Sequence, residues 1–323
     1  MSTSALISAL FDNEELSIIA DSDEFLNACA NQGFNTLHLS KLTELPKNSI
    51  VFSFSNDAAK SMFEISKNSA TKRSIFCATQ VFDPTARAAL YSLELLLASN
   101  LGQCLQTQRS VLNMLNSHRE FRLSGNCANA VVVIHSHAQP YALLSEDLEG
   151  NFVQSVAELF EVHYAHMHPH EPCPFNVNGT VKICGILTVL RKPNPTLPSG
   201  LKTSLEWLRT QVAKEGATLS ITDNIVTSFK INEEEQLKLL DLAAGSRGLK
   251  LTEFAIGVNE NIASNIDYAV NSQMNEGISG VHLAIGDGAS GYHIDFLSPL
   301  VRVNPMHQSD QGAGARLETS TQK

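Results

Sequence analysis

The sequence lacks the features that mark several large classes of protein. Its 323 residues contain no apolar run near the roughly 18 residues that a transmembrane helix needs. Residues 1–12 have neither the basic start nor the small-residue cleavage site of a secretory signal. Basic residues are few: 23 Lys and Arg oppose 33 Asp and Glu, so the net charge is −10. Because nucleic acids and anionic membranes bind basic surfaces, we expect neither as a partner.

Paired cysteines and common catalytic motifs are absent as well. The six cysteines are scattered and no two have C-x-x-C spacing, which favours reduced and mostly buried thiols in a cytoplasmic protein. No P-loop and no G-x-S-x-G motif occurs. The turn after the first predicted strand, residues 20–23, has no glycine, which argues against a dinucleotide site. What remains is a composition typical of a folded globular protein, with 43% hydrophobic residues.

Short apolar runs alternate with helical patterns in the first part of the chain, and strand patterns dominate the rest. The alternation predicts a parallel sheet covered by helices. The first predicted strands are residues 16–20, 35–39, 50–54 and 74–78. The sequence therefore predicts an α/β protein with an N-terminal parallel-sheet domain and a C-terminal mixed α+β domain. Their predicted bounds are 1–120 and 121–303, followed by a disordered tail over 304–323.

Three segments near the C-terminal end place polar side chains at strand spacing. Side chains in a strand alternate between two faces, so Phe254 and Ile256 face away from Glu253. The segments 282–286 and 293–296 repeat this design, and the polar residues of all three are Glu253, His282, His293 and Asp295. If the strands are adjacent, these four side chains converge. Two imidazoles and two carboxylates suit Zn²⁺, Co²⁺, Mn²⁺ or Fe²⁺ better than Ca²⁺ or Mg²⁺.

A cluster of histidines precedes these segments. Four of the 11 histidines lie between residues 163 and 170. One hypothesis is that His168, His170 or Glu171 lends a metal ligand from an irregular loop. The interpretation we favour is a polar surface loop with adventitious metal affinity.

The three C-terminal segments resemble a known family. The blocks 252–259, 280–286 and 293–296 look like the last metal-binding motifs of the thermophilic metallo-aminopeptidases, aminopeptidase T and its relatives. That superfamily also includes 2,5-dihydroxypyridine 5,6-dioxygenase. The resemblance implies that the four polar residues, Glu253, His282, His293 and Asp295, are metal ligands. The dioxygenase has a His at the first of these positions, so Glu253 follows the peptidase pattern.

The chain also departs from the peptidase pattern. The peptidases hold two metals and use a further Glu before the first block and a Tyr shortly after the second-block His. No equivalent Glu is evident in the sequence, and Ala289 stands where the Tyr is expected. Tyr292 is close, but it would point to the opposite face from its neighbour His293. We therefore predict a divergent, shortened member of the superfamily with a single-metal site.

The function predicted from these features is metal-dependent hydrolysis of a peptide or peptide-like amide, as in an aminopeptidase. The ion would be Zn, Co, Mn or Fe, and Glu171 or Asp287 would serve as the general base. The resemblance also suggests a homodimer. Two alternatives stay open. One is a non-catalytic, peptide-binding auxiliary protein of natural-product peptide biosynthesis, and the other is an Fe(II) oxygenase built on the same ligands.

Overall fold

The structure is a computed structural model, and it describes residues 10–11 and 15–306. It confirms the predicted fold class, because a parallel sheet in the N-terminal part is followed by antiparallel sheets, with helices throughout. None of the described helices has the length and apolar character needed to cross a membrane.

The first sheet has five parallel strands in the order β2-β1-β3-β4-β8. Its strands are β1 (Ser17–Ala20), β2 (Asn35–His38), β3 (Asn48–Phe52), β4 (Arg73–Cys77) and β8 (Phe152–Ser155). The helices of this part are α1 (Asp23–Asn31), α2 (Asn56–Asn68), α3 (Ala86–Ala98) and α4 (Leu101–Ser117). Each begins after a residue whose side chain accepts a hydrogen bond from a backbone N–H of the first turn, namely Ser22, Ser55, Thr85 and Asn100.

Two antiparallel sheets follow. The second sheet has the order β14-β13-β12-β10-β6-β5-β18, and the third has the order β11-β17-β16-β15-β9-β7. The second comprises β5 (Glu120–Gly125), β6 (Ala128–Ile134), β10 (Phe175–Ile183), β12 (Ala217–Thr222), β13 (Ile225–Ile231), β14 (Glu234–Glu235) and β18 (Arg302–Pro305). The third comprises β7 (Tyr141–Ala142), β9 (Glu161–Ala165), β11 (Gly185–Val189), β15 (Leu251–Gly257), β16 (Gly280–Ile285) and β17 (His293–Pro299). Two helices, α5 (Leu201–Glu215) and α6 (Leu237–Ala244), complete this part.

The second and third sheets share one apolar core. Phe254 and Phe296 of the third sheet meet Phe175 and Phe229 of the second, with ring centroids 6.2 Å apart for Phe175–Phe254 and 5.3 Å apart for Phe229–Phe296. Because side chains alternate along a strand, the residues on either side of Phe254 in β15 and of Phe296 in β17 point to the other face of the third sheet. That face carries the candidate site.

The chain crosses between its two parts more than once. The predicted boundary at residue 120 lies where the parallel sheet gives way to antiparallel strands, yet β8 returns to pair with β4. Val258, Ile262, Met274 and Ile278 also lie in the core of the first part. At the predicted tail, residues 304 and 305 belong to β18, which pairs with β5. Residues 307–323 lie outside the described residues.

Candidate metal centre

Polar side chains gather on the face of the third sheet that is turned away from its apolar core. In the register of the strands, Ala284 lies between Glu253 and Asp295, and Ala255 lies between His163 and His282. Each small side chain therefore separates two metal-competent ones. The face has room above the sheet because methyl groups, not bulky side chains, fill the intervening positions.

A β-bulge aims Glu253 at this face. Leu251 pairs with Ile285 and Glu253 pairs with Ala284, so Thr252 is the extra residue of β15. Without the bulge, residues 251 and 253 would share a face. With it, Leu251 lies in the apolar core and Glu253 lies on the polar face. The Thr252 hydroxyl donates to the Gly286 carbonyl at 2.8 Å, which ties the bulge to the end of β16.

The structure brings the four sequence-predicted side chains together and adds Glu161 of β9. His293 Nε2 lies 3.0 Å from Asp295 Oδ1 and 3.6 Å from Glu253 Oε2. His282 Nε2 lies 3.4 Å from both Glu253 Oε1 and Glu161 Oε2. Glu253 thus turns one oxygen towards each histidine. His282 and Asp295 are 2% and 1% exposed, so the cluster is buried within the protein.

Among residues 10–11 and 15–306, two groups of three side chains are close enough to hold an ion. They are Glu161, His163 and Glu253 on one side, and Glu253, His293 and Asp295 on the other. In each group, one ligand atom per residue lies within 4.8 Å of the others. Glu253 belongs to both. Glu276, on the 3₁₀ helix Gln273–Gly277, brings a further buried carboxyl to the same cleft.

The hydrogen bonds of the cluster fit a cation. His293 Nδ1 lies 3.1 Å from the Gly286 carbonyl, and donation to it leaves Nε2 as the ring nitrogen that faces the carboxylates and that could bind an ion after losing its proton. Asp295 Oδ2 is buried and has neither a hydrogen bond nor an ion pair within the described residues, and Glu161 Oε2 has only its 3.4 Å ion-pair contact with His282. Buried acceptors are normally satisfied, so Asp295 Oδ2 in particular is a natural ligand for an ion.

Charge pairing shifts the pKa values of the cluster in opposite directions. Burial by itself would raise the pKa of Glu253, but the hydrogen bond from His282 and the charges of His163 and His293 outweigh it and lower this pKa to about 2. Burial would lower the pKa of His293, but the Asp295 carboxylate raises it to about 9. The metal-free site is therefore held together by ion pairs, and an arriving cation would displace the imidazolium protons.

The site opens into a cleft of about 390 Å³ between the two parts of the chain. One wall is the polar face, with Glu161, Glu253 and Asp295. The opposite wall includes Ala78, which directly follows β4, and Ser155 at the end of β8. Crevices at the carboxyl ends of parallel strands are a common location for ligand sites.

The two sequence-predicted bases lie elsewhere. Asp287 Oδ1 accepts hydrogen bonds from the backbone N–H groups of Ala289 and Ser290, at 2.8 and 2.9 Å, within its own loop. Glu171 is exposed in the loop after β9, as are His168 and His170. Neither Glu171 nor Asp287 is among the described residues that line the cleft.

Sequence reasoning missed three residues of the site: Glu161, His163 as part of a strand, and Glu276. A signal existed for the first two, since residues 161–165 alternate polar or small with apolar side chains as β15 does. No periodic signal marks Glu276, because it lies in a short 3₁₀ helix.

Comparison with known proteins identifies a family and several distantly similar structures, including the following two. The family described as "Crocagin biosynthetic protein CgnE/B" matches residues 13–306. No curated protein matches the chain. AmpT from Thermus thermophilus is similar in structure, with 13% identity over 94% of both chains and a TM-score of 0.48. A 2,5-dihydroxypyridine dioxygenase from Pseudomonas putida KT2440 has 9% identity, covers 92% of this chain and 90% of its own, and gives a TM-score of 0.45. Likeness at this distance assigns no activity.

Proposed function

Because the chain belongs to the crocagin biosynthetic protein CgnE/B family, we propose that it acts on a peptide in a biosynthetic pathway, as a metal-dependent hydrolase of a peptide or peptide-like amide. The observation that carries this proposal is the pair of ligand groups that share Glu253 at the floor of the cleft. A purely structural ion-pair cluster would not leave the buried Asp295 Oδ2 without a partner among the described residues.

The ligand groups differ in how completely they are assembled. Glu253, His293 and Asp295 would hold the first ion, since the Gly286 carbonyl fixes the ring of His293. Glu161 supplies the upstream carboxylate that was not evident in the sequence. We therefore extend the proposal to a second ion, which Glu161, His163 and Glu253 would hold. A bound divalent ion would supply Lewis acidity that polarises an amide carbonyl.

Glu276 is the proton-transfer residue that we propose. Its carboxyl lines the cleft beside the ligand groups and is 9% exposed. Burial and the neighbouring carboxylates of Asp295, Glu161 and Glu253 raise its pKa well above the usual value. A carboxyl group with a raised pKa is better suited than an ordinary glutamate to protonate the departing amine. Glu171 and Asp287 remain sequence-based candidates without a contact to the cleft.

Metal content is the decisive measurement for this function. Protein purified without a metal-affinity tag is analysed for Zn, Co, Mn and Fe, and then for hydrolysis of a peptide mixture by mass spectrometry. We expect stoichiometric metal in the wild type and its loss in His293→Ala and Asp295→Ala. The matched control is Glu158→Gln, which alters a cleft residue outside both ligand groups and should retain the ion. Wild-type protein that takes up none of the four ions would contradict the proposal.

A second candidate function is peptide binding without catalysis. It is favoured by the position of Tyr292, the nearest match to the peptidase Tyr, which lines a different cavity together with Leu205. Metal-free protein that binds peptides and hydrolyses none after metal loading would support this second function over the first.

A further inference from the structure

A second cavity of about 230 Å³ adjoins the cleft of the metal centre. The two cavities share Val81 and Phe82, which follow β4. The end of β11 runs between them. Val189 and Arg191 line the cleft, whereas Thr188 and Leu190 line the second cavity. Successive residues of this segment therefore face the two cavities in turn, as expected for an extended chain.

β11 is an edge strand of the third sheet, and part of its free edge is already paired. The Thr188 N–H donates to Asn271 Oδ1 at 2.9 Å, and Asn271 Nδ2 donates to the Thr188 carbonyl at 2.8 Å. The amide of Asn271 thus substitutes for a neighbouring strand at this one residue. A peptide cannot pair with β11 at Thr188 while Asn271 is in place.

The next position along the same edge is Leu190. Backbone groups two residues apart point in the same direction in a strand, so the N–H and C=O of Leu190 continue the edge that Asn271 covers. Neither group has a hydrogen-bond partner within the described part of the chain, and the residue is partly exposed. An unpaired donor and acceptor at a strand edge form a site for the backbone of another extended chain.

We infer that an extended peptide adds to the edge of the third sheet at Leu190, with adjacent side chains entering the metal cleft and the second cavity. This inference rests on the proposed function, since it names the way in which the same site holds its substrate. Backbone pairing at Leu190 would fix the peptide beside the ligand groups. Asn271 would fix the register of the peptide along β11, because it blocks pairing at Thr188.

The lining of the second cavity indicates what side chain it accepts. Phe82, Leu205 and Tyr292 provide apolar surface, and Glu206 and Arg209 provide polar groups. The Nε of Arg209 donates to the Ala269 carbonyl at 3.0 Å, which holds the guanidinium at the wall. A long side chain with an apolar stem and a polar end fits this lining better than a small one.

The test separates backbone pairing from side-chain contact. A random hexapeptide library is equilibrated with the full chain in EDTA, and the retained peptides are identified by mass spectrometry. Leu190→Pro removes the free N–H, whereas the matched control Leu190→Ala removes the side chain and keeps the N–H. Since no internal hydrogen bond is lost in either variant, both should fold, and thermal unfolding checks this.

We expect the wild type and Leu190→Ala to retain peptides enriched in long, polar-ended side chains at one position. For one retained peptide, Leu190→Pro should weaken binding about tenfold, as should N-methylation of the peptide at a single position. Equal binding by wild type and Leu190→Pro, or no retention by the wild type, would overturn the inference. Hydrolysis by metal-loaded Leu190→Pro at the wild-type rate would overturn it and leave the hydrolase proposal intact. Peptide binding by the wild type that is weakened in Leu190→Pro, without hydrolysis by the metal-loaded protein, would support the inference and contradict the hydrolase proposal.

Discussion

Glu253 connects the two halves of the candidate site through its two carboxylate oxygens. Oε1 faces His282, Oε2 faces His293, and the side chain belongs to both ligand groups. Its position depends on a single extra residue, Thr252, in the register of β15. Local strand geometry therefore decides whether the carboxylate reaches the site or the core.

Protonation of the site histidines gives a prediction for the metal-free protein. The pKa values of His163 and His293 are raised to about 9, from about 6.5 in an unfolded chain. A raised pKa means that the folded state holds the proton more tightly, so its stabilisation is complete below about pH 6.5 and is lost as the pH rises through about 9. In EDTA, we expect the thermal midpoint to fall across this window, measured by circular dichroism.

The control for this prediction is a variant at an exposed histidine. His137→Gln should show the wild-type decline with pH, because His137 is exposed and lies in neither ligand group. His293→Asn should show a shallower decline, since the titrating ring is gone. Metal affinity should rise over the same window, because the ion competes with the protons. A wild-type midpoint that stays constant from neutral pH upwards would show that these histidines are not paired as described.

The turn between β16 and β17 holds His293 in place. Gly286 has a φ of +75°, and its carbonyl faces both Thr252 Oγ1 and His293 Nδ1. A Cβ added at this position would lie 1.9 Å from the Tyr292 carbonyl oxygen, a backbone atom that cannot move aside. Gly288, two residues on, has a similar φ of +71°, but its Cβ would approach only the flexible Arg191 side chain, at 3.2 Å.

These two glycines form a matched pair for mutagenesis. Both Gly286→Ala and Gly288→Ala carry the strain of a left-handed backbone, about 1–2 kcal/mol. Gly286→Ala adds a backbone clash, so we expect a clearly larger loss of unfolding free energy and a loss of metal binding. Chemical denaturation and metal titration measure the two effects. Equal destabilisation by the two substitutions would exclude the role given to the Gly286 carbonyl.

At the scale of the strands, local sequence patterns predict the site correctly where strands that follow one another in the chain also pair in the sheet. The alternation in 253–257, 282–286 and 293–296 identifies one polar face because β15, β16 and β17 are consecutive in the sheet. Glu161 was not predicted because β9 pairs with β15 across some ninety residues, and the pattern within one segment does not specify a partner strand at that distance. The sequence predicts a loop for the whole histidine cluster, but His163 lies in β9 and only the residues after 165 form that loop.

The whole molecule determines the shape of the cleft, because each part of the chain supplies one wall. Hydrogen bonds between α3 and the segment 267–275 fix the two walls. The Tyr91 hydroxyl donates to Asn275 Oδ1 at 2.8 Å and accepts from the Asp267 N–H at 2.7 Å. Ser92 and Ser272 are joined through their hydroxyls at 2.7 Å. Glu276, next to Asn275, is therefore carried by a segment that is anchored to the first part.

Together with the proton-transfer role proposed for Glu276, this anchoring predicts that a substitution in the first part lowers the rate of hydrolysis without affecting metal binding. Tyr91→Phe leaves the Asp267 N–H and Asn275 Oδ1 without this partner, which should cost about 1–3 kcal/mol of unfolding free energy. Because Val258, Ile262 and Met274 of the later chain pack into the core of the first part, calorimetry should still show a single unfolding transition. Glu253, His293 and Asp295 lie on strands that Tyr91 does not contact through these bonds, so metal affinity should match the wild type.

Hydrolysis should respond differently from metal affinity, because a loosened 267–275 segment positions Glu276 less firmly above the ligand groups. We expect a lower kcat for Tyr91→Phe at unchanged metal content. The matched control is Tyr268→Phe, which removes a hydroxyl from the same segment without breaking any hydrogen bond among the described residues. If Tyr91→Phe instead loses its metal, or if both variants lower kcat equally, then the first part of the chain does not hold Glu276 in place through Tyr91.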